Sequence, residues 1–123
     1  MTNTTFNTNW NGKLNCNCFT TIRLANQNKY AVNSDHKIIL RDEFLYYARV
    51  LAYKELFLCD LNDFMSFVDT GYSRLETRDI IYKMYPKVDF KITKICFVLF
   101  GRNPTQTKDI NKTPIFKSKL FAG

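Results

Sequence analysis

The chain has 123 residues, enough for one ordinary domain and too few for two. Hydrophobic residues make up 46% and aromatic residues 15%, which excludes a disordered chain, and no apolar run approaches the ~18 residues of a membrane span. The formal net charge is +7, and five basic residues against one acidic residue lie from Gly101 onward, a distribution that suits an anionic partner as well as plain solubility.

Residues 1–12 are rich in Asn and Thr and read as an irregular or edge-strand lead-in anchored by Phe6 and Trp10. They lack the basic and apolar regions of a signal peptide, so the expected location is cytoplasmic. Cys16, Cys18, Cys59 and Cys96 are then expected as reduced thiols. Cys16-x-Cys18 is tighter than zinc-ligand spacing and His36 is the sole histidine, so no metal or other cofactor is expected. His36, between Asp35 and Lys37, reads as an exposed turn residue.

Thr20-Thr21-Ile22-Arg23-Leu24 is a short β-branched strand followed by a polar turn, and Lys37-Ile38-Ile39-Leu40 is a second strand. The stretch 44–59 alternates Ala48, Val50 and Ala52 with Arg49, Leu51 and Tyr53, which favours a strand over a helix. A helix is expected over 60–69, capped by Asp60 or Asn62, with Leu61, Phe64, Met65 and Val68 as its inward stripe. Ser73-Arg74-Leu75-Glu76 is a capping box opening a second helix that Pro86 stops, with Ile80, Ile81, Met84 and Tyr85 apolar. Residues 88–100 alternate as a last strand, with a bulge near Thr93-Lys94. The expected class is α+β: a small mixed β-barrel with two helices inserted before the last core strand, spanning 1–100, and a basic extension over 101–123.

Two segments carry a family resemblance. Cys18-Phe19-Thr20-Thr21-Ile22-Arg23 resembles the early Lys-Thr-x-Thr-x-Arg segment of catalytic ASCH-domain proteins of the N4-acetylcytidine amidohydrolase type. Glu76 on a helix ending at Tyr85-Pro86, followed by Phe97-Val98-Leu99-Phe100, resembles that family's later glutamate, Tyr-Pro stop and last strand. The resemblance implies a PUA-like barrel whose cleft binds RNA or modified nucleobases. It places Thr21 at the nucleophile, Glu76 at the proton-moving glutamate and Arg23 at the following arginine. Cys18 stands where the activating lysine belongs. A thiol carries no positive charge, so the resemblance implies binding rather than hydrolysis. Lys13, five residues upstream, would reach that place only along a different backbone path.

Each residue keeps a plainer reading beside the functional one. Glu76 also serves as the last residue of the capping box, Thr21 as strand packing and Arg23 as an ion-pair partner. Tyr47, Arg49 and Tyr53 share strand parity and form either a stacking platform flanked by a cation or a solvated face. The sequence thus points to a non-catalytic module that binds RNA or an RNA–protein complex. Arg23, Tyr47 and Arg49 serve with the tail cations Arg102, Lys108, Lys112, Lys117 and Lys119. A phage-encoded anti-defence protein of the anti-CRISPR type, engaging a host nuclease, is one form of this reading. Hydrolysis of an acylated cytidine-like nucleoside through Thr21 and Glu76 is the alternative.

Overall fold

Residues 1–103 are described by the computed structural model. Along the chain run β1 (Thr2–Phe6), a 3-10 segment (Trp10–Asn15), β2 (Cys18–Leu24), β3 (Asp35–Leu40) and β4 (Glu43–Leu56). A short 3-10 turn (Leu58–Asp60), α1 (Asp63–Thr70), α2 (Arg74–Met84) and β5 (Ile95–Arg102) follow. The strands form one mixed sheet in the order β1-β3-β4-β5-β2, with β1 parallel to β3 and the other pairs antiparallel. The sheet curls into a half-barrel.

Local chemistry fixes its joints. Leu40 pairs with Glu43, leaving a two-residue hairpin loop in which Arg41 and Asp42 both take left-handed backbone (φ 46° and 69°), the twist such loops require. In β4 the register against β5 shifts between Val50 and Ala52, which makes Leu51 the extra residue of a bulge. Leu51 lies so close to Gly101 that a Cβ there would stand 2.8 Å from its Cδ1, so a larger residue at 101 would have to push the half-exposed Leu51 side chain aside. The bulge also splits the Tyr47–Arg49–Tyr53 stripe: Tyr53 packs against the first core cluster, which contains Tyr46, Ala48 and Val50.

That cluster also holds Phe6, Phe19, Ile38, Val98 and Phe100 in the hollow of the sheet. A second cluster of Ile22, Leu58, Leu61, Ile81, Phe90 and Ile95 joins the sheet to the helices. The capping box is present, Ser73 accepting from the Glu76 amide and the Glu76 carboxylate accepting from the Ser73 backbone. Asn62 caps α1 by accepting from the Met65 amide.

Four expectations are corrected. Residues 88–94 are not strand: the Asp89 carbonyl accepts from the amides of Ile92 and Thr93, and its carboxylate from that of Lys91, which winds the segment into turns. Ile92 is left 77% exposed. The last strand continues past residue 100 to Arg102. The inner face of α1 is largely polar: Ser66, Asp69 and Thr70 are buried, and of the expected stripe Leu61 is buried ahead of the helix and Met65 packs on the second cluster, whereas Phe64 is 77% exposed and Val68 is exposed too. His36 is fully buried in β3, bonded by Thr4 Oγ1 at Nδ1 (2.8 Å) and by Ser34 Oγ at Nε2 (3.1 Å), and stacked on Tyr30.

Candidate functional site

Among the described residues, the half-barrel leaves β1 and β2 with one strand neighbour each. The seam between them holds a cavity of about 390 Å³. Thr5, Phe6 and Trp10 line it from the β1 side, Thr21 and Arg23 from β2, Asp69 and Thr70 from α1, Thr77 and Ile81 from α2, and Tyr85 from just past the end of α2. Lys13 enters from the 3-10 segment.

β2 supplies both of its faces. Phe19, Thr21 and Arg23 lie opposite Phe100, Val98 and Cys96 and so face the hollow of the sheet. Thr20 and Ile22 face the helices, and the Thr20 hydroxyl donates to Asp69 Oδ1 at 2.9 Å. Lys13 reaches the same oxygen because Asn11 and Gly12, both in left-handed backbone (φ 58° and 64°), turn the chain ahead of it. Its Nζ donates to Asp69 Oδ1 at 2.9 Å and lies 5.5 Å from the centre of the Phe6 ring.

Arg23 closes the seam. Its Nη2 donates to the Thr5 carbonyl at 2.8 Å, crossing from β2 to β1, and its Nε donates to Thr21 Oγ1 at 3.0 Å. The guanidinium lies 4.5 Å from the Phe6 ring centre. Only two of its five N–H groups are used by these bonds, and no carboxylate pairs with it among the described residues.

Burial sets the electrostatics of the floor. It lowers the Lys13 pKa, with Asp69 opposing and Arg23 reinforcing that shift. It raises that of Asp69, with Lys13, Thr20 and Arg23 opposing. Both groups are thus drawn toward neutrality by desolvation and held charged by each other. The Lys13 charge is matched within the floor, so the net positive charge of the cleft is that of Arg23.

The sequence-derived residues divide sharply. Thr21 and Arg23 lie in the cleft. Glu76 does not line it: its carboxylate accepts from the Ser73 hydroxyl and backbone at the exposed start of α2. Cys18 is exposed and also outside it. Tyr47 and Arg49 lie on the outer face of β4, Tyr47 against Phe44 and Arg49 paired with Asp35 at 3.0 Å. Arg102 lies over the Tyr46 ring at 4.0 Å and donates to the Leu14 carbonyl. Lys108, Lys112, Lys117 and Lys119 lie outside the described residues.

Asp69 and the seating of Lys13 escape a sequence reading. The available signal for Asp69 is a polar stripe, Ser66, Asp69 and Thr70, at helical spacing beside the buried Leu61. For Lys13 it is the preceding Asn11-Gly12 turn. Compared with family models, curated proteins and solved structures, the chain gives no match.

Proposed function

We propose that the chain is a non-catalytic RNA-binding module that holds a nucleotide of a single strand in the β1–β2 seam. The observation carrying this reading is Arg23, a guanidinium that lines the cavity and is ion-paired with no carboxylate among the described residues. Arginine's planar fork suits phosphate. Trp10, Tyr85, Ile81 and Met84 provide flat and apolar surface for a base nearby. The barrel-like α+β fold with helices ahead of the last strand supports a PUA-like architecture for the same role.

Affinity for a short single-stranded RNA tests it. Arg23→Gln is expected to weaken binding roughly 10- to 100-fold, a charged hydrogen bond being worth ~1.5–3 kcal/mol, and to reduce the slope against log salt by about one. Equal affinity and slope for Arg23→Gln and wild type would overturn the proposal.

The enzymatic reading gains one specific support: Lys13, Thr21 and Asp69 line one cavity, so a lysine reaches the threonine's site by a route other than position 18. Neutral Lys13 would take the Thr21 proton as Oγ1 attacks an acyl carbon, then pass it to the departing amine, and water would release the acyl group. The Asp69 pairing opposes that neutral state. Incubation with N4-acetylcytidine decides between the readings. No turnover is expected, and turnover abolished by Thr21→Ala would replace binding with hydrolysis.

A further inference from the structure

The floor of the seam holds a feature that phosphate recognition by Arg23 leaves unused. Asp69 is 3% exposed and lines the cavity. Both of its hydrogen bonds, from Lys13 Nζ and from Thr20 Oγ1, fall on Oδ1. Its Oδ2 accepts none among the described residues. Beside it, Lys13 Nζ carries three N–H donors and places one on Asp69. The floor therefore presents an unused carboxylate acceptor next to unused ammonium donors, both on side chains that burial holds in place.

Oδ2 is open to the cavity rather than sealed from it, so a ligand N–H can reach it and bond to it. The complementary ligand edge carries an N–H beside an acceptor, in one plane. The polar edge of a nucleobase has this form: the N3–H beside O4 of uracil, or the N1–H beside O6 of guanine. The walls agree with a flat ring, since Ile80 and Ile81 of α2, Tyr85 just past its end and Phe6 of β1 line the same cavity. Arg23 lies at the mouth, bonded to the exposed Thr5 of β1, where a phosphate attached to that ring through a sugar can meet it.

We infer that the Lys13–Asp69 pair reads the polar edge of a nucleobase, Asp69 Oδ2 accepting its N–H and Lys13 donating to the adjacent carbonyl or ring nitrogen, while Arg23 holds the phosphate. The seam is then a one-nucleotide site that senses modification of the base edge. This rests on the RNA-binding reading and deepens it. Thr20 and Phe6 become positioning residues: the hydroxyl fixes the carboxylate rotamer, and the ring borders the ammonium.

The test modifies the ligand, so that it stands even if a floor variant fails to fold. UMP, GMP and their 3-methyluridine and 1-methylguanosine counterparts are titrated into the full chain and followed by the indole N–H resonance of Trp10, the single tryptophan, which lines the cavity. The methyl group removes the N–H without adding charge. At least one unmodified nucleotide is expected to bind, and its methylated form to bind tenfold or more weakly. Asp69→Asn, which keeps an oxygen for Thr20 while offering an amide in place of the free acceptor, is expected to narrow that ratio while Arg23→Gln leaves it intact. Equal binding of methylated and unmodified forms, with RNA binding still sensitive to Arg23→Gln, would overturn the base-edge reading and leave the RNA reading standing. No binding of RNA or of any nucleotide would overturn both.

Discussion

At the residue scale, the buried charges decide most. Removing one partner of a buried pair leaves an uncompensated charge, which costs ~3–5 kcal/mol. Lys13→Met is therefore expected to lower stability in urea by about 3 kcal/mol, and Lys13→Met with Asp69→Asn by clearly less, the difference measuring their coupling. His36 acts through pH. Burial lowers its pKa below the ordinary 6.5, with the Lys29 charge adding to the shift. The unfolded chain then binds the proton more readily, so stability is highest with His36 neutral and falls as pH drops below about 6.5. Urea midpoints between about pH 7 and pH 5 are expected to decline for the wild type and to flatten for His36→Gln. Nothing in the neighbouring residues signals this burial, because Asp35-His36-Lys37 is locally polar. Only pairing with Thr2 of β1, the hydrogen bond with the Thr4 hydroxyl and stacking on Tyr30 of the β2–β3 loop make the position internal.

At the element scale, signals complete within a few residues were legible and those needing a distant partner were not. The capping box, the Asn62 cap, the long β4 strand and the stop before Pro86 all follow from neighbours in sequence. Ser73→Ala is expected to cost about 1 kcal/mol in thermal or urea unfolding, and Glu76→Gln to leave RNA affinity unchanged because its carboxylate serves the cap. Gly71 ends α1 in left-handed backbone (φ 82°), and a Cβ would stand 3.2 Å from Asn11 Oδ1. Gly71→Ala is expected to cost ~1 kcal/mol or more, read in the same unfolding experiment. The apolar stripe of α1 misled because its spacing is helical whichever face turns inward. Asp69 and Thr70 turn inward because Lys13, Thr20 and Thr77 provide partners there, and none of those pairings is visible in the helix's own sequence, while the Ser66 hydroxyl donates locally to the Asn62 carbonyl.

At the scale of the whole molecule, the site is a consequence of incomplete closure. Among the described residues, five strands curl but leave β1 and β2 unpaired with each other, and a side-chain bond from Arg23 to the Thr5 carbonyl spans the gap. Thr21 and Arg23 were legible as a pair, since alternate residues of a strand share a face. Their companions Lys13 and Asp69 come from elements 56 residues apart, whose meeting depends on the sheet order. The central claim is that this seam, rather than the outer face of β4, receives RNA. The most direct measurement is a backbone amide titration of the full chain with a short single-stranded RNA by NMR. Shifts are expected to concentrate at residues 5–10, 21–23, 69–70 and 77–85. Shifts concentrated instead at Tyr47, Arg49 and their neighbours on β4, with the seam unmoved, would contradict it.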